Sequence, residues 1–290
     1  MTYSEESEPW KFPETARFVR PPVPSELLKG WDSEDFEDLE ALHLQSAEGF
    51  TEEHQNHKLA ATLLASTQNL HDLQYALLAA GGDVVSESEL LQLTYLHRCT
   101  NSLFTVYWAT KHHQYSSATG RLRFVLEGYL SIRLMNKEKD SLSDRYSNTL
   151  SELKERGPHP HEDGPFVDLL SEFRNRAKKE FFEQGDMTKN IYNHLSNFGS
   201  HPHALQSSWH DGRRSDELES DILEFACVCA YAIAAQYVRT FRSTELSRDI
   251  EQTLNDTFVE VVAAVDALPT FLADDLEFGP PHAARTVTTF

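Results

Sequence analysis

Cysteines are few in this sequence, and the common nucleotide-binding and hydrolase motifs are missing. Three cysteines are an odd number, and Cys227 and Cys229 lie two residues apart in a hydrophobic run, so on a helix they point to different sides. We expect buried hydrophobic thiols rather than a disulfide or a chelate. No Gly-x-Gly-x-x-Gly, no Gly-Lys-Ser or Gly-Lys-Thr phosphate loop and no Gly-x-Ser-x-Gly elbow occurs. This excludes the commonest dinucleotide, nucleotide and hydrolase signatures.

Positive charge is scarce as well. The chain carries 26 Lys and Arg against 46 Asp and Glu, which gives a net charge of -20 over 290 residues. Such a surface repels phosphate backbones at low salt, so we expect no extended DNA-binding surface, although a local arginine cluster could still bind an anion. The acid excess also indicates halophilic adaptation to a high-salt cytoplasm, since the Debye length falls to about 3 Å at 1 M salt.

Long apolar segments are also absent. No charged-then-apolar leader opens the chain, and no uninterrupted apolar run of about 18 residues occurs. We therefore expect a cytoplasmic protein with no membrane partner.

Alternating patterns typical of β-strands are not found, and the helical periodicity predicts an all-α bundle of about seven to nine helices. We divide the chain into an extended N-terminal arm, 1–30, a single helical domain, 31–272, and a loose, flexible C-terminal tail, 273–290. Periodicity, caps and breakers place the helices at about 32–44, 51–80, 86–108, 121–136, 141–157, 166–177, 191–199, 215–238 and 247–268.

Two of these helices carry unusual patterns. Residues 222–238 are apolar on nearly every side, which predicts a position at the centre of the bundle. The helix that begins at 166 has a single basic face, which is either an anion-facing surface or simply a solvated helix side. The residues of this basic face are Arg174, Arg176, Lys178 and Lys179.

Polar side chains that could form a site occur in two places. Arg123 and Glu127 lie one turn apart on a largely apolar helix, so burial would require them to be paired. The stretch 192–203 reads Tyr-Asn-His-Leu-Ser-Asn-Phe-Gly-Ser-His-Pro-His, in which Gly199 ends a short helix and His201 follows in a loop.

These elements together resemble a set of uncharacterised prokaryotic helical proteins related to the HEPN (higher eukaryote and prokaryote nucleotide-binding) superfamily. The elements are Arg-x-x-x-Glu at 123–127, Tyr-x-x-Leu-Ser at 192–196 and the pair His201-Pro202, and the resemblance covers residues 85–245. It implies a helical bundle, often dimeric, whose active members cleave RNA without a metal through an Arg followed four to six residues later by His. Many members are catalytically silent.

The sequence departs from that signature before His201. The positions four to six residues earlier hold Asn197, Ser196 and Leu195, none of which is basic, and His194 lies one residue too far away. In a metal-independent endoribonuclease, His201 would be the general acid or base. His194, or an arginine of another helix, would then stabilise the developing phosphorane charge.

A structural role is the interpretation that we favour, because a buried ion pair needs hydrogen-bonding partners merely to be tolerated. Polar groups near the helix stop would then bind the ion pair and fix the helix packing. This predicts an interaction or regulatory module with an RNA or protein partner and a possible homodimer, rather than an enzyme. Either role concerns one set of candidate residues: His201, His194, Arg123, Glu127, Tyr192 and Ser196.

A histidine-ligated metalloprotein is the third hypothesis. A di-iron bundle needs two Glu-x-x-His motifs, and the sequence has only Glu40-Ala-Leu-His43. Cys-x-x-Cys and His-Glu-x-x-His are absent, and no histidine pair has decisive spacing, so we expect no metal and no cofactor. The histidines concerned are His54, His57, His159, His161, His201 and His203.

Overall fold

The computed structural model describes residues 52–80, 86–156, 164–199, 211–212, 215–242, 244, 246–265, 268–275, 277 and 287–288. Over these residues the chain forms eight α-helices, which confirms the all-α bundle. The helices are α1 (Glu52–Ala80), α2 (Glu87–Lys111), α3 (Tyr115–Lys137), α4 (Lys139–Arg156), α5 (Gly164–Glu183), α6 (Asp186–Gly199), α7 (Asp216–Thr240) and α8 (Ser247–Ala264).

Helix α7 lies at the centre of the bundle, as its sequence predicts. It packs against α1, α2, α3 and α8, and all its side chains from Ala226 to Val238 are buried. Cys227 and Cys229 are free thiols within this core, which confirms that they act as small hydrophobic residues. A helix that is apolar all round can be stable in water only when other helices cover it, and here four do.

Helix α3 is the second buried element, and it carries the candidate ion pair. It packs against α2 and α7 on one side and against α5 and α6 on the other. Gly128 allows the close approach to α2, because a Cβ at this position would clash with Sγ of Cys99. Since successive helix residues are turned by about 100°, Glu127 and Tyr129 point to different neighbours.

Two helices begin where the sequence predicts, one of them with the predicted capping box. Ser86 accepts a hydrogen bond from the backbone N–H of Glu89, whose carboxylate in turn accepts one from the backbone N–H of Ser86 at 2.8 Å. Ser215 lies at the N-cap of α7, as expected.

Helix α3 begins six residues earlier than predicted. The break falls at 112–114, where His113 has a positive φ of 56°, and the predicted break at 116–120 is helical. Asp211 explains the difference, because its Oδ1 accepts a hydrogen bond of 3.0 Å from the backbone N–H of Ser116 in the first turn. A cap supplied from 95 residues away leaves no local signal in the sequence.

Helix α8 ends at Ala264 rather than near Leu268. Two side chains of α1 bind carbonyls of its last turn, Gln55 Nε2 to Ala264 O at 2.9 Å and Lys58 Nζ to Ala263 O at 2.5 Å. These contacts satisfy carbonyl groups that a longer helix would have bonded internally.

The described residues after α8 form short elements rather than a continuation of the α-helix. Leu268–Pro269 pairs with Val287–Thr288 as a two-residue parallel ladder, and a 3₁₀ helix covers Thr270–Asp275. The range 273–290, predicted as a flexible tail, therefore includes Asp275, whose side chain is fully buried.

Several predictions concern residues outside the described ranges. These are the N-terminal arm 1–30, the helix at 32–44, and the two loops that contain the His-Pro-His sequences. Among the helices that the structure describes, none is long and apolar enough to cross a membrane.

Candidate functional site

The predicted ion pair forms on α3. Arg123 Nε donates a hydrogen bond to Glu127 Oε1 at 3.2 Å, and the two side chains are 26% and 14% exposed. Their i,i+4 spacing places both on the side of α3 that meets α5 and α6. The pair therefore lies at a helix interface, partly open to solvent.

Helix α6 supplies two polar partners to this pair. The hydroxyl of Tyr192 donates to Glu127 Oε1 at 2.5 Å, and Arg123 Nη1 donates to the hydroxyl of Ser196 at 3.2 Å. The guanidinium carbon of Arg123 also lies 5.3 Å from the centroid of the Tyr192 ring. The sequence predicted that these four residues meet, and the structure brings them together.

The amphipathic sequence of α6 explains this placement. Leu195 is buried against the core and Ile191 is partly buried, so the helix has a fixed rotation on α3. Tyr192 and Ser196, four residues apart, then face the same side, and Tyr192 is only 6% exposed. A buried tyrosine hydroxyl needs a partner, and Glu127 provides it.

Lys178 of α5 is a member of the cluster that sequence reasoning missed. Its Nζ lies 3.8 Å from Glu127 Oε1 and 4.9 Å from the ring centroid of Tyr192. Phe182, one turn further along α5, packs edge-on against Tyr192 with centroids 5.1 Å apart. The i,i+4 spacing of Lys178 and Phe182 is the signal that could have shown that this side of α5 faces another helix.

We call Arg123, Glu127, Lys178, Tyr192 and Ser196 the Glu127 cluster. Burial opposes the charged form of the guanidinium, but Tyr192 and Glu127 outweigh this effect and raise the pKa of Arg123 above its usual value. The cluster holds two formal positive charges and one negative charge. It joins α3, α5 and α6 through one carboxylate oxygen, Oε1 of Glu127.

Two other candidate residues do not join this cluster within the described structure. His194 is exposed and lies on a different side of α6 from Tyr192 and Ser196. Burial, followed by Glu217, raises the pKa of Asp221 on α7, and His194 acts on that carboxyl group in the opposite direction. The predicted role of His194 in RNA cleavage by His201 stays a prediction. His201 lies outside the described residues.

The predicted basic face of α5 is divided among several partners. Arg176 donates to Glu138 Oε2 at 3.0 Å and lies 3.7 Å from Glu172. Lys178 belongs to the Glu127 cluster, whereas Arg174 and Lys179 are exposed. The four charges thus do not form one continuous surface.

A second carboxylate, Asp275, forms a polar centre that the sequence did not reveal. The hydroxyl of Tyr129 donates to Asp275 Oδ2 at 2.6 Å, and Gln236 Nε2 donates to Oδ1 at 3.2 Å. Arg239 Nε lies 2.9 Å from Oδ1. We call Asp275, Tyr129, Gln236 and Arg239 the Asp275 cluster.

The carboxylate and the phenol of the Asp275 cluster are both buried, which determines the pKa of the phenol. Asp275 and Tyr129 are 0% and 1% exposed. Loss of solvation, followed by the negative charge of Asp275, raises the pKa of Tyr129 well above its usual value near 10. The phenol therefore stays protonated and acts as a hydrogen-bond donor.

Metal ligation has no support among the residues that can be described. No group of three or more His, Cys, Asp or Glu side chains in that part of the chain is placed to hold a metal ion. Of the histidines considered, His57 lies on α1 and the side chain of His54 is not described. The others, with Glu40, lie outside the described ranges: His43, His159, His161, His201 and His203.

Comparison with known proteins adds no relative to this description. No protein-family model, no curated protein and no solved structure matches the chain.

Proposed function

We propose that this chain is a non-catalytic interaction or regulatory module, built on a helical bundle related to the HEPN superfamily. The observation that carries the proposal is the engagement of Arg123. Its Nε and Nη1 donate to Glu127 and Ser196, and its guanidinium lies against the ring of Tyr192. An arginine that stabilises a reacting phosphate must present its donors to the substrate. Here Nε and Nη1 are already engaged within the protein.

The Glu127 carboxylate supports the same proposal. Its Oε1 accepts from Tyr192 at 2.5 Å and from Arg123 at 3.2 Å, with Lys178 at 3.8 Å. A mostly buried carboxylate with these partners holds α3, α5 and α6 at fixed distances. Such a group contributes to folding without needing a substrate.

Metal-independent endoribonuclease activity through His201 is the alternative, and a direct assay separates the two. The purified protein is incubated with a fluorogenic single-stranded RNA in the presence of EDTA, beside the variants His201→Ala and His203→Ala. The proposal predicts no cleavage above the level of either variant. Cleavage that persists in EDTA, is abolished by His201→Ala and is retained by His203→Ala would establish the enzyme instead. The melting temperature of His201→Ala must then equal that of the wild type.

The same preparation tests two accompanying proposals. Light scattering at high salt is expected to give the mass of a homodimer, and a strict monomer would contradict it. Elemental analysis is expected to find no stoichiometric transition metal, whereas one metal ion per chain would favour the histidine-ligated metalloprotein.

A further inference from the structure

Two exposed arginines lie on the surface formed by α2, α3 and α5, in a protein whose net charge is -20. Arg98 of α2 lies over the ring of Phe124 of α3, with 5.4 Å between its guanidinium carbon and the ring centroid. Arg174 of α5 lies one turn before Lys178, which contacts Glu127 of α3 at 3.8 Å, and both arginines act on the pKa of the Tyr95 phenol of α2. Tyr95 and Phe124 are each partly exposed. We call the two arginines with Tyr95 and Phe124 the Arg98 patch.

None of the four patch residues is a carboxylate, and the one a turn away from Phe124, Glu127, is bound by Arg123, Tyr192 and Lys178. No ion pair of Arg98 or Arg174 occurs among the described residues, although most other described arginines have an acidic partner. The residues one turn from Arg98 on α2 are also uncharged: Thr94, Tyr95, Asn101 and Ser102. On α5, Leu170 and Lys178 lie one turn before and after Arg174.

The electrostatics of Tyr95 agree with this description. Loss of solvation raises its pKa, Arg98 and Arg174 counteract that shift, and no carboxylate is among the groups that act on it. The patch is thus a local region of positive potential with two aromatic rings between its charges. Arginine and tyrosine are the residue types that dominate the binding energy of protein interfaces.

We propose that the Arg98 patch binds an acidic peptide segment of a partner protein, with the carboxylates on the two arginines and apolar side chains against Tyr95 and Phe124. This rests on the proposed function as an interaction module, for which it names the partner class. Arginine pairs with a carboxylate in a bidentate geometry that suits such recognition.

Total charge favours a short peptide over a nucleic acid. The repulsion from a chain of net charge -20 is screened beyond a Debye length of about 8 Å at physiological ionic strength, so a few carboxylates at the patch feel mainly the local arginines. A nucleic acid carries charge along its whole length, and its phosphates beyond the patch would meet the acidic surface.

The test uses a fluorescein-labelled peptide of four Glu-Glu-Phe repeats, with a Gln-Gln-Phe peptide of the same length as the neutral control. Binding to the full chain is followed by fluorescence anisotropy. Because two charge-assisted contacts are removed, the double variant Arg98→Gln/Arg174→Gln should weaken binding about tenfold. The matched control Arg242→Gln/Arg248→Gln removes the same number of exposed positive charges elsewhere and should leave binding within about twofold of the wild type.

Three results would overturn the proposal. The first is no difference between the Glu and Gln peptides, and the second is equal weakening by the two double variants. The third is an oligouridylate of equal charge that binds more tightly than the Glu peptide and whose binding Arg98→Gln/Arg174→Gln abolishes. This would assign the patch to nucleic acid. The ribonuclease assay is independent of all three, so failure here is distinguishable from failure of the non-catalytic function.

Discussion

Glu127 and Asp275 are both carboxylates bound by an arginine and a tyrosine, but they differ in burial and in how they are assembled. Glu127 is 14% exposed, and Arg123 and Lys178 beside it are about a quarter exposed. Asp275 is fully buried and lies in a 3₁₀ helix between α3 and α7, reached by Tyr129 and Arg239. One cluster fixes a helix interface at the surface, and the other fixes an irregular segment to the core.

The difference shows what burial does to a polar centre. A partly exposed ion pair can exchange its partners for water, so losing one partner is moderately costly. A buried carboxylate has no such replacement, and each missing partner leaves an uncompensated group at low dielectric. We therefore expect the Asp275 cluster to control stability and the Glu127 cluster to control the local arrangement of α5 and α6.

Substitution of Asp275 should have the largest effect. Asp275→Ala leaves Tyr129, Gln236 and Arg239 without their common acceptor, and the free energy of unfolding should fall by about 3–5 kcal/mol. Chemical denaturation with urea measures this. The control is Glu277→Ala, because Glu277 is 50% exposed and lies 3.3 Å from the same Arg239. Its loss should be about 0–1 kcal/mol, and equal effects at the two positions would refute the distinction.

The pH dependence of stability should distinguish the buried tyrosine of the Asp275 cluster. The pKa of Tyr129 is raised in the folded state, so above about pH 10 the unfolded chain loses this proton while the folded chain keeps it. Tyr129 therefore contributes its full stabilisation below pH 10. As the pH rises further, the free energy of unfolding falls by about 1.4 kcal/mol per pH unit. Tyr129→Phe should remove this slope.

Tyr231 and Tyr237 also have pKa values raised mainly by burial, and they contribute to the alkaline slope in both proteins. The informative quantity is therefore the difference in the free energy of unfolding between wild type and Tyr129→Phe, measured by urea denaturation at pH 9, 10 and 11. Parallel curves across this range would mean that Tyr129 does not titrate differently in the folded state.

The two clusters should also differ in how salt changes their contribution to stability. Glu127→Gln should lower the free energy of unfolding by about 1–2 kcal/mol at low salt, because the charges of Arg123 and Lys178 lose their counter-ion. At 1 M salt this loss should shrink, since solvent ions screen partly exposed charges. The loss caused by Asp275→Asn should stay constant. If the loss caused by Glu127→Gln does not change with salt, the ion pair is better shielded from solvent than its exposure indicates.

The smallest effect is expected at His194. This side chain is exposed, so His194→Ala should change the free energy of unfolding by no more than about 0.5 kcal/mol. Calorimetry beside Ser196→Ala, which removes an acceptor of Arg123, provides the comparison. A larger loss for His194→Ala than for Ser196→Ala would reverse our placement of the two residues.

Periodicity made the helices and the Glu127 cluster predictable. Arg123 and Glu127 stood out because charges on an apolar helix need partners, and Tyr192 and Ser196 stood out as polar residues of the Tyr-x-x-Leu-Ser element. Both signals lie within single helices, where sequence distance fixes direction. The central position of α7 followed from the same kind of evidence, because its apolar residues cover every side.

Contacts between residues that are distant in sequence were not predicted. Asp275 follows the end of the last helix, and its partners lie 39 and 146 residues away, so nothing local marks it as buried. The start of α3 depends on Asp211 in the same way. Lys178 was assigned to a basic surface, since composition alone does not tell which of four neighbouring cations turns inward. Each case needs tertiary packing, which no pattern along one helix contains.

The most direct test of the Glu127 cluster is a double-mutant cycle between Glu127→Gln and Tyr192→Phe. If α3 and α6 are joined by the 2.5 Å hydrogen bond between these side chains, urea denaturation should give a coupling free energy of about 1 kcal/mol. Strictly additive losses in the two single variants and the double variant would show that the two groups do not interact, and the cluster would not exist as described.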